Sequence, residues 1–182
     1  AEHTVSEYAG LFDEVRVGKP LLDREQDYAD VASAIASAAA EYDDGRTAVC
    51  YVGHGAAGGP GTVCKRLQSQ LLQRDCRNIC TGMLKESPTL EDVLADVRKG
   101  GYRRVVLRPL MITSGSHADN DMAGDRKDSW KSRFEAAGCE VLCIMEGLGG
   151  IPAVRDVFVR HAGEAAAALT GGARRNRSGR EA

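Results

Sequence analysis

Short, continuous apolar runs alternate along this chain with longer segments of helical periodicity, and no other feature limits the fold as strongly. Residues 48–52 (AVCYV) have no polar interruption, the pattern of a strand buried on both faces. Residues 105–107, extended through Pro109 to Ile112, and residues 141–145 repeat it; residues 78–84 give a weaker version. Residues 15–22 (VRVGKPLL) read as a first extended segment with Pro20 near its end. Between the runs, Tyr28, Val31, Ile35, Ala38, Ala39 and Tyr42 recur at helical spacing, from a capping-box-like start at Asp23 and Gln26 to a stop at Gly45. Val63, Leu67 and Leu71 make a second stripe. Leu90, Val93, Leu94 and Val97 make a third, opened by Ser87 as N-cap and Pro88 at the first helical position. Trp130, Phe134 and Ala137 precede Gly138, and Val154, Val157, Phe158 and His161 follow Ile151-Pro152. Such alternation implies parallel strands joined by right-handed crossovers. The predicted class is α/β: an open parallel sheet of four to five strands with helices on both faces. The 182 residues suffice for one such domain, at residues 1–170. From Gly171 the apolar residues vanish, and the basic stretch 171–182 is predicted to be disordered.

Charge and cysteine usage exclude several function classes. The 24 Lys+Arg and 26 Asp+Glu leave a formal charge of −2, which predicts neither nucleic acid nor an acidic membrane as partner. No apolar run approaches the roughly 20 residues that span a bilayer. The first residues (AEHT) show no basic region or apolar core of a signal peptide, and no initiator Met. The six cysteines include no CxxC pair; Cys50, Cys80, Cys139 and Cys143 lie in or beside apolar runs. They read as core thiols in a reducing compartment, and a cytoplasmic location is expected.

In open parallel sheets the working residues collect in loops at the carboxyl ends of strands. Three loops qualify here. The first, residues 53–61, sets His54 between Gly53 and Gly55 directly after the apolar run. It is either a Gly-rich anion cradle with His54 incidental, or a loop that presents His54 to a cleft; no GxGxxG is in register and no GKS/T is present. The second, Lys85-Glu86-Ser87-Pro88, offers one carboxylate. The third, residues 109–125, sets His117 among small residues, with Asp119 and Asp121 following. Histidine and carboxylate together can bind a divalent metal or move a proton near neutral pH. Asp119 or Asp121 can alternatively cap the helix that leads to Trp130, but capping does not account for His117.

Taken together, Gly53-His54-Gly55, Pro109-Leu110-Met111, His117-Ala118, Asn120-Asp121-Met122-Ala123-Gly124, Asp128-Ser129-Trp130-Lys131 and Gly147-Leu148-Gly149 resemble the anaerobic-type sirohydrochlorin cobaltochelatases. The likeness runs from about Gly18 to about Leu169. It implies an ATP-independent tetrapyrrole chelatase (a lyase of cobalamin biosynthesis) that inserts a divalent metal into sirohydrochlorin. Co²⁺ is the expected metal substrate, with Fe²⁺ or Ni²⁺ as alternatives. The resemblance makes His54 and His117 metal ligands and proton acceptors, with Gly53, Gly55, Asp119 and Asp121 as surrounding binding residues. The family's glutamate falls at the column of Lys85, so Glu86 fills that catalytic and metal-binding role through a shift of register. Gly58 stands where a second histidine is usual, and Ser116 where an aspartate is usual. The family's N-terminal half is expected to be missing, so a second half-domain or a homo-oligomer would complete the cleft. Lys85, Arg103, Arg104 and Lys131 are candidate partners for the substrate's carboxylates. The rival reading is a degenerate half-chelatase that binds tetrapyrrole or metal without catalysis.

Overall fold

Strand β1, Thr47–Gly53, is buried at every position, as its uninterrupted apolar run requires. The computed structural model describes residues 5, 7–55 and 62–177, with side chains up to residue 169. β1 is flanked in parallel by β2 (Ile79–Met83) and β3 (Arg104–Pro109), and β3 carries β4 (Glu140–Cys143), giving the order β2-β1-β3-β4. Register places Cys50 between Cys80 and Leu107, and Tyr51 between Thr81 and Arg108. The strand period of two then sorts the side chains. Val49, Tyr51, Ile79 and Val106 meet helices α1 (Glu25–Ala39), α2 (Thr62–Gln73) and α5 (Pro152–Arg177). Ala48, Cys50, Val52, Cys80, Val105 and Leu107 meet α3 (Leu90–Lys99) and α4 (Trp130–Ala136). A buried Val, Leu or Ile side chain contributes about 1.5–3 kcal/mol, against about 0.5–1.5 for a net hydrogen bond. The two apolar clusters therefore set the layers, and the ladders set the register.

The expected α/β class and helices on both faces are present, with four strands. Residues 15–22 are irregular instead of extended into a strand. Gly18 lies against the backbone of His161, the Lys19 carbonyl is bonded by His161 Nδ1 (3.2 Å), and Leu21 and Leu22 pack on the α1/α5 cluster. With Pro20 lacking an N–H, this segment makes a strap across α5 and not a ladder. Two helix starts also differ. At α1, Asp27 reaches back to the N–H groups of Arg24 (2.8 Å) and Asp23 (3.2 Å), so the box is set by Asp27 and not Gln26. At α3, Thr89 is the N-cap, because Asp92 accepts from Thr89 N (2.7 Å) and Asp92 N donates to Thr89 Oγ1 (3.3 Å). Helix α5 runs to Arg177. The alanine run 165–168 is strongly helix-forming.

All six cysteines are free thiols; Cys50, Cys64 and Cys80 are buried, and Cys76, Cys139 and Cys143 half-buried. Burial pushes the Cys64 thiol up to about 11 and raises Cys139 and Cys143. A hydrogen bond with Cys80, together with burial, pushes Cys50 well up. These are core thiols. Among the described residues, no helix is long and apolar enough to cross a membrane.

Candidate functional site

The carboxyl ends of β1 and β3 bring two histidines together. Gly53 ends β1 where a side chain would strike Met83 Sδ (2.6 Å from an added Cβ), and Gly55 turns the chain at φ +83°, a conformation that glycine adopts freely. His54 stands between them, half-buried. His117 stands at the start of a π-helical turn, Ala118–Met122, on the loop that follows β3. The two imidazoles meet edge-on, with ring centroids 4.2 Å apart at an interplanar angle of 61°.

Most of the sequence around His117 builds this placement. Ala118 and Met122 are buried in the α3/α4 cluster and pin the turn to the body. A side chain at position 124 would collide with the Asn120 carbonyl, so Gly124 lets the chain close behind the turn. Ser129 donates to the Gly124 carbonyl (2.6 Å) and accepts from Ser132 N (3.1 Å), capping α4. Neither Asp119 nor Asp121 is that cap. Trp130 packs over Gly82, where an added Cβ would lie 2.5 Å from the indole. From the other side the β4–α5 loop braces the His117 loop: Leu148 N bonds Met111 O (2.7 Å), Gly149 N bonds Ile112 O (2.9 Å), and Ser114 Oγ bonds the Met145 carbonyl. Gly147 and Gly149 permit that approach, since added Cβ atoms would stand 2.6 and 2.8 Å from Ile112 O.

Both rings are anchored through Nδ1. His54 Nδ1 lies 2.8 Å from the Gly55 carbonyl, and His117 Nδ1 lies 2.8 Å from Asp121 Oδ2. A carbonyl only accepts, so the His54 proton sits on Nδ1 and leaves a lone pair on Nε2. Among the described residues, neither Nε2 takes a hydrogen-bond partner. Two such nitrogens, with the His117 side chain 47% exposed, can accept protons or bind a borderline divalent ion that exchanges with solvent.

The carboxylates divide. Glu86 is half-buried, with its Cγ and Cδ 3.4 and 3.6 Å from where a Gly55 side chain would begin, so it faces the His54 turn; Lys85 is more exposed. Asp121 belongs to His117. Asp119 is exposed. Among the described residues, no three or more His, Cys, Asp or Glu side chains are grouped to hold a metal. A groove beside the site is lined by Leu84, Lys85, Glu86, Leu90, Arg126 and Trp130. Gly58 lies outside the described residues. The basic candidates separate as well. Arg103 and Arg104 are at the amino end of β3, roughly 17 Å of strand from Pro109, and Arg104 pairs with Glu140 (3.2 Å). Lys131 pairs with Asp125 (2.8 Å).

Two polar clusters were not visible in the sequence. His161, which reads as packing or surface, is buried against Asp27 (3.1 Å), and Arg160 reaches the same carboxylate (2.7 Å). Arg108 is buried in β3 and joins the Ala38 carbonyl (3.2 Å) to Glu146 (3.1 Å), tying down the loop that braces His117. No local pattern marks an ion pair whose partners are 38 or 134 residues apart. A larger groove between α1 and α5 is lined by none of the predicted site residues.

The fold is an open parallel α/β sheet with an imidazole pair at its carboxyl edge, and comparison with known proteins places it in a family. The model of the cobalt chelatase (CbiK) family matches residues 1–167. A sirohydrochlorin cobaltochelatase of Salmonella typhimurium is 34% identical over 152 residues, 83% of this chain and 56% of that protein. A sirohydrochlorin cobaltochelatase CbiKC of Nitratidesulfovibrio vulgaris is 31% identical over 158 residues, 87% of this chain and 56% of that protein. The chain belongs to the cobalt chelatase (CbiK) family. It spans about half the length of the curated relatives that it matches.

Proposed function

We propose that this chain is the metal-handling half of a sirohydrochlorin cobaltochelatase, inserting Co²⁺ into sirohydrochlorin without ATP. The observation that carries the reading is the imidazole pair, 4.2 Å apart at the carboxyl ends of two adjacent strands. Insertion exchanges water on the metal for four pyrrole-type nitrogens and releases two N–H protons. His54 and His117 offer two nitrogens unengaged among the described residues, enough to hold an incoming ion and too few to keep it against a macrocycle; a closed four-ligand site would retain it. The same nitrogens accept the displaced protons, and Glu86, beside the His54 turn, passes them toward solvent or adds a weak third ligand. Lys85 and Arg126, both on the neighbouring groove, meet substrate carboxylates. The opposite wall of the cleft comes from a second α/β half, on the same polypeptide or on a second copy of this chain.

A second reading, a tetrapyrrole- or metal-binding half-protein without catalysis, draws on the missing third ligand among the described residues. Visible absorption separates the two. Co²⁺ and sirohydrochlorin mixed with the chain are expected to give the metallated spectrum faster than without it, and His54→Ala or His117→Ala is expected to abolish the difference. Tight binding of sirohydrochlorin with insertion at the uncatalysed rate would establish the binding protein instead.

A further inference from the structure

Asp121 differs from every other carboxylate near the histidines. It follows His117 by four residues across the π-helical turn, and its Oδ2 lies 2.8 Å from His117 Nδ1. Its side chain is 30% exposed, and Arg126 Nη2 stands 3.6 Å from its other oxygen. Arg126 is itself held by a two-pronged contact with Asp128 (3.0 and 2.8 Å). Buried Ala118 and Met122 fix the face of the turn that looks inward, so residues 117 and 121 are held side by side on the outer edge. Asp119, exposed, and Glu86, against Gly55, have no such arrangement.

We propose that Asp121 is a positioning residue that locks His117 in its Nδ1–H tautomer and so keeps Nε2 as a bare lone pair. A ring turned the other way, with Nδ1 bare, would set two acceptors against each other at hydrogen-bond distance and forfeit a hydrogen bond to a charged group. The carboxylate thus does for His117 what the Gly55 carbonyl does for His54, and both rings present the same nitrogen. A carboxylate on the far nitrogen of a metal-binding imidazole also raises its basicity as a ligand. The assignment deepens the chelatase reading, because it matters for insertion only if His117 handles metal or protons; the tautomer itself does not depend on that reading.

The test uses the full chain with ¹⁵N-labelled histidine, observed by NMR well above neutral pH, beside steady-state insertion kinetics. The wild-type spectrum is expected to show His117 protonated at Nδ1 and bare at Nε2. Asp121→Ala is expected to release the ring to a mixture or to the Nε2–H form. In the same variant kcat should fall about 10- to 100-fold with KM for sirohydrochlorin unchanged. Asp121→Asn, whose amide oxygen still accepts the same N–H, is expected to restore the tautomer and most of kcat. An Nε2–H tautomer in the wild type, or an unchanged tautomer in Asp121→Ala, overturns the proposal. So does an Asp121→Asn variant as impaired as Asp121→Ala, which would assign the effect to charge. If Asp121→Ala does not fold, the wild-type and Asp121→Asn spectra decide the matter. If no form of the chain inserts metal, the chelatase reading fails while the spectra still judge Asp121.

Discussion

The molecule contains two His–Asp–Arg clusters that use the same three side chains to opposite ends. In one, His161, Asp27 and Arg160 join α1 to α5; the His161 and Asp27 side chains are each 1% exposed, and both imidazole nitrogens meet oxygen acceptors. In the other, His117, Asp121 and Arg126 sit at the carboxyl edge of the sheet, with His117 47% exposed and, among the described residues, only Nδ1 engaged. Residue type therefore says little about role. Saturation does: an imidazole with both nitrogens occupied in a dry interface is a fastener, whereas one with a nitrogen that meets no partner among the described residues is open to chemistry.

The sharpest way to break the comparison is to remove the buried carboxylate. Asp27→Ala removes the helix-start acceptor of the Arg24 and Asp23 N–H groups and the acceptor that buried His161 Nε2 meets, and is expected to lower stability by about 2–4 kcal/mol, read as a fall in the urea midpoint. The same cluster makes stability depend on acid. Burial alone would raise the Asp27 carboxyl, but the Arg24 and Asp23 backbone N–H groups, Arg160 and His161 outweigh it and hold the carboxyl at about 2, against an ordinary 3.8. Its contribution is therefore complete above about pH 4, where the unfolded chain is also ionised, and is lost as pH falls toward 2. A wild-type urea midpoint that falls across that window, with a flatter profile for Asp27→Asn, is the expected result.

Next in size is the brace on the His117 loop. Gly147→Ala pushes a Cβ against the Ile112 carbonyl, 2.6 Å away, and backbone must shift to admit it. The expected cost is about 1–3 kcal/mol, with impaired insertion because the loop that carries His117 moves. Gly115→Ala, where an added Cβ meets nothing within 4 Å, should leave both unchanged. The smallest stability effect is expected at the exposed cluster itself. His117→Ala should alter stability by no more than about 0.5 kcal/mol, although the proposed activity depends on it. A large loss of stability in His117→Ala would mean that the two clusters are both fasteners.

What the sequence by itself determined is the local and periodic part of this protein. Uninterrupted apolar runs at β1, β3 and β4 and the helical stripes between them follow from backbone geometry that repeats every 2 or 3.6 residues. Those runs implied a parallel α/β sheet, and the sheet picked out the loops that hold His54, Glu86 and His117. Residues 15–22 read locally as a strand but enter no ladder; the Lys19 carbonyl meets His161 of α5 instead, which no local pattern announces. Only the tertiary structure decided which chemistry-bearing residues meet. His54 and His117 are 63 positions apart in the chain and share an edge because β1 and β3 are neighbours. Glu86 faces the His54 turn because β2, which its loop follows, is the other neighbour of β1. His161 lost its availability, and His117 kept it, through burial. Burial and long-range adjacency are properties of the packed chain: they depend on what every other element covers, and a side chain carries no local mark of what will come to cover it.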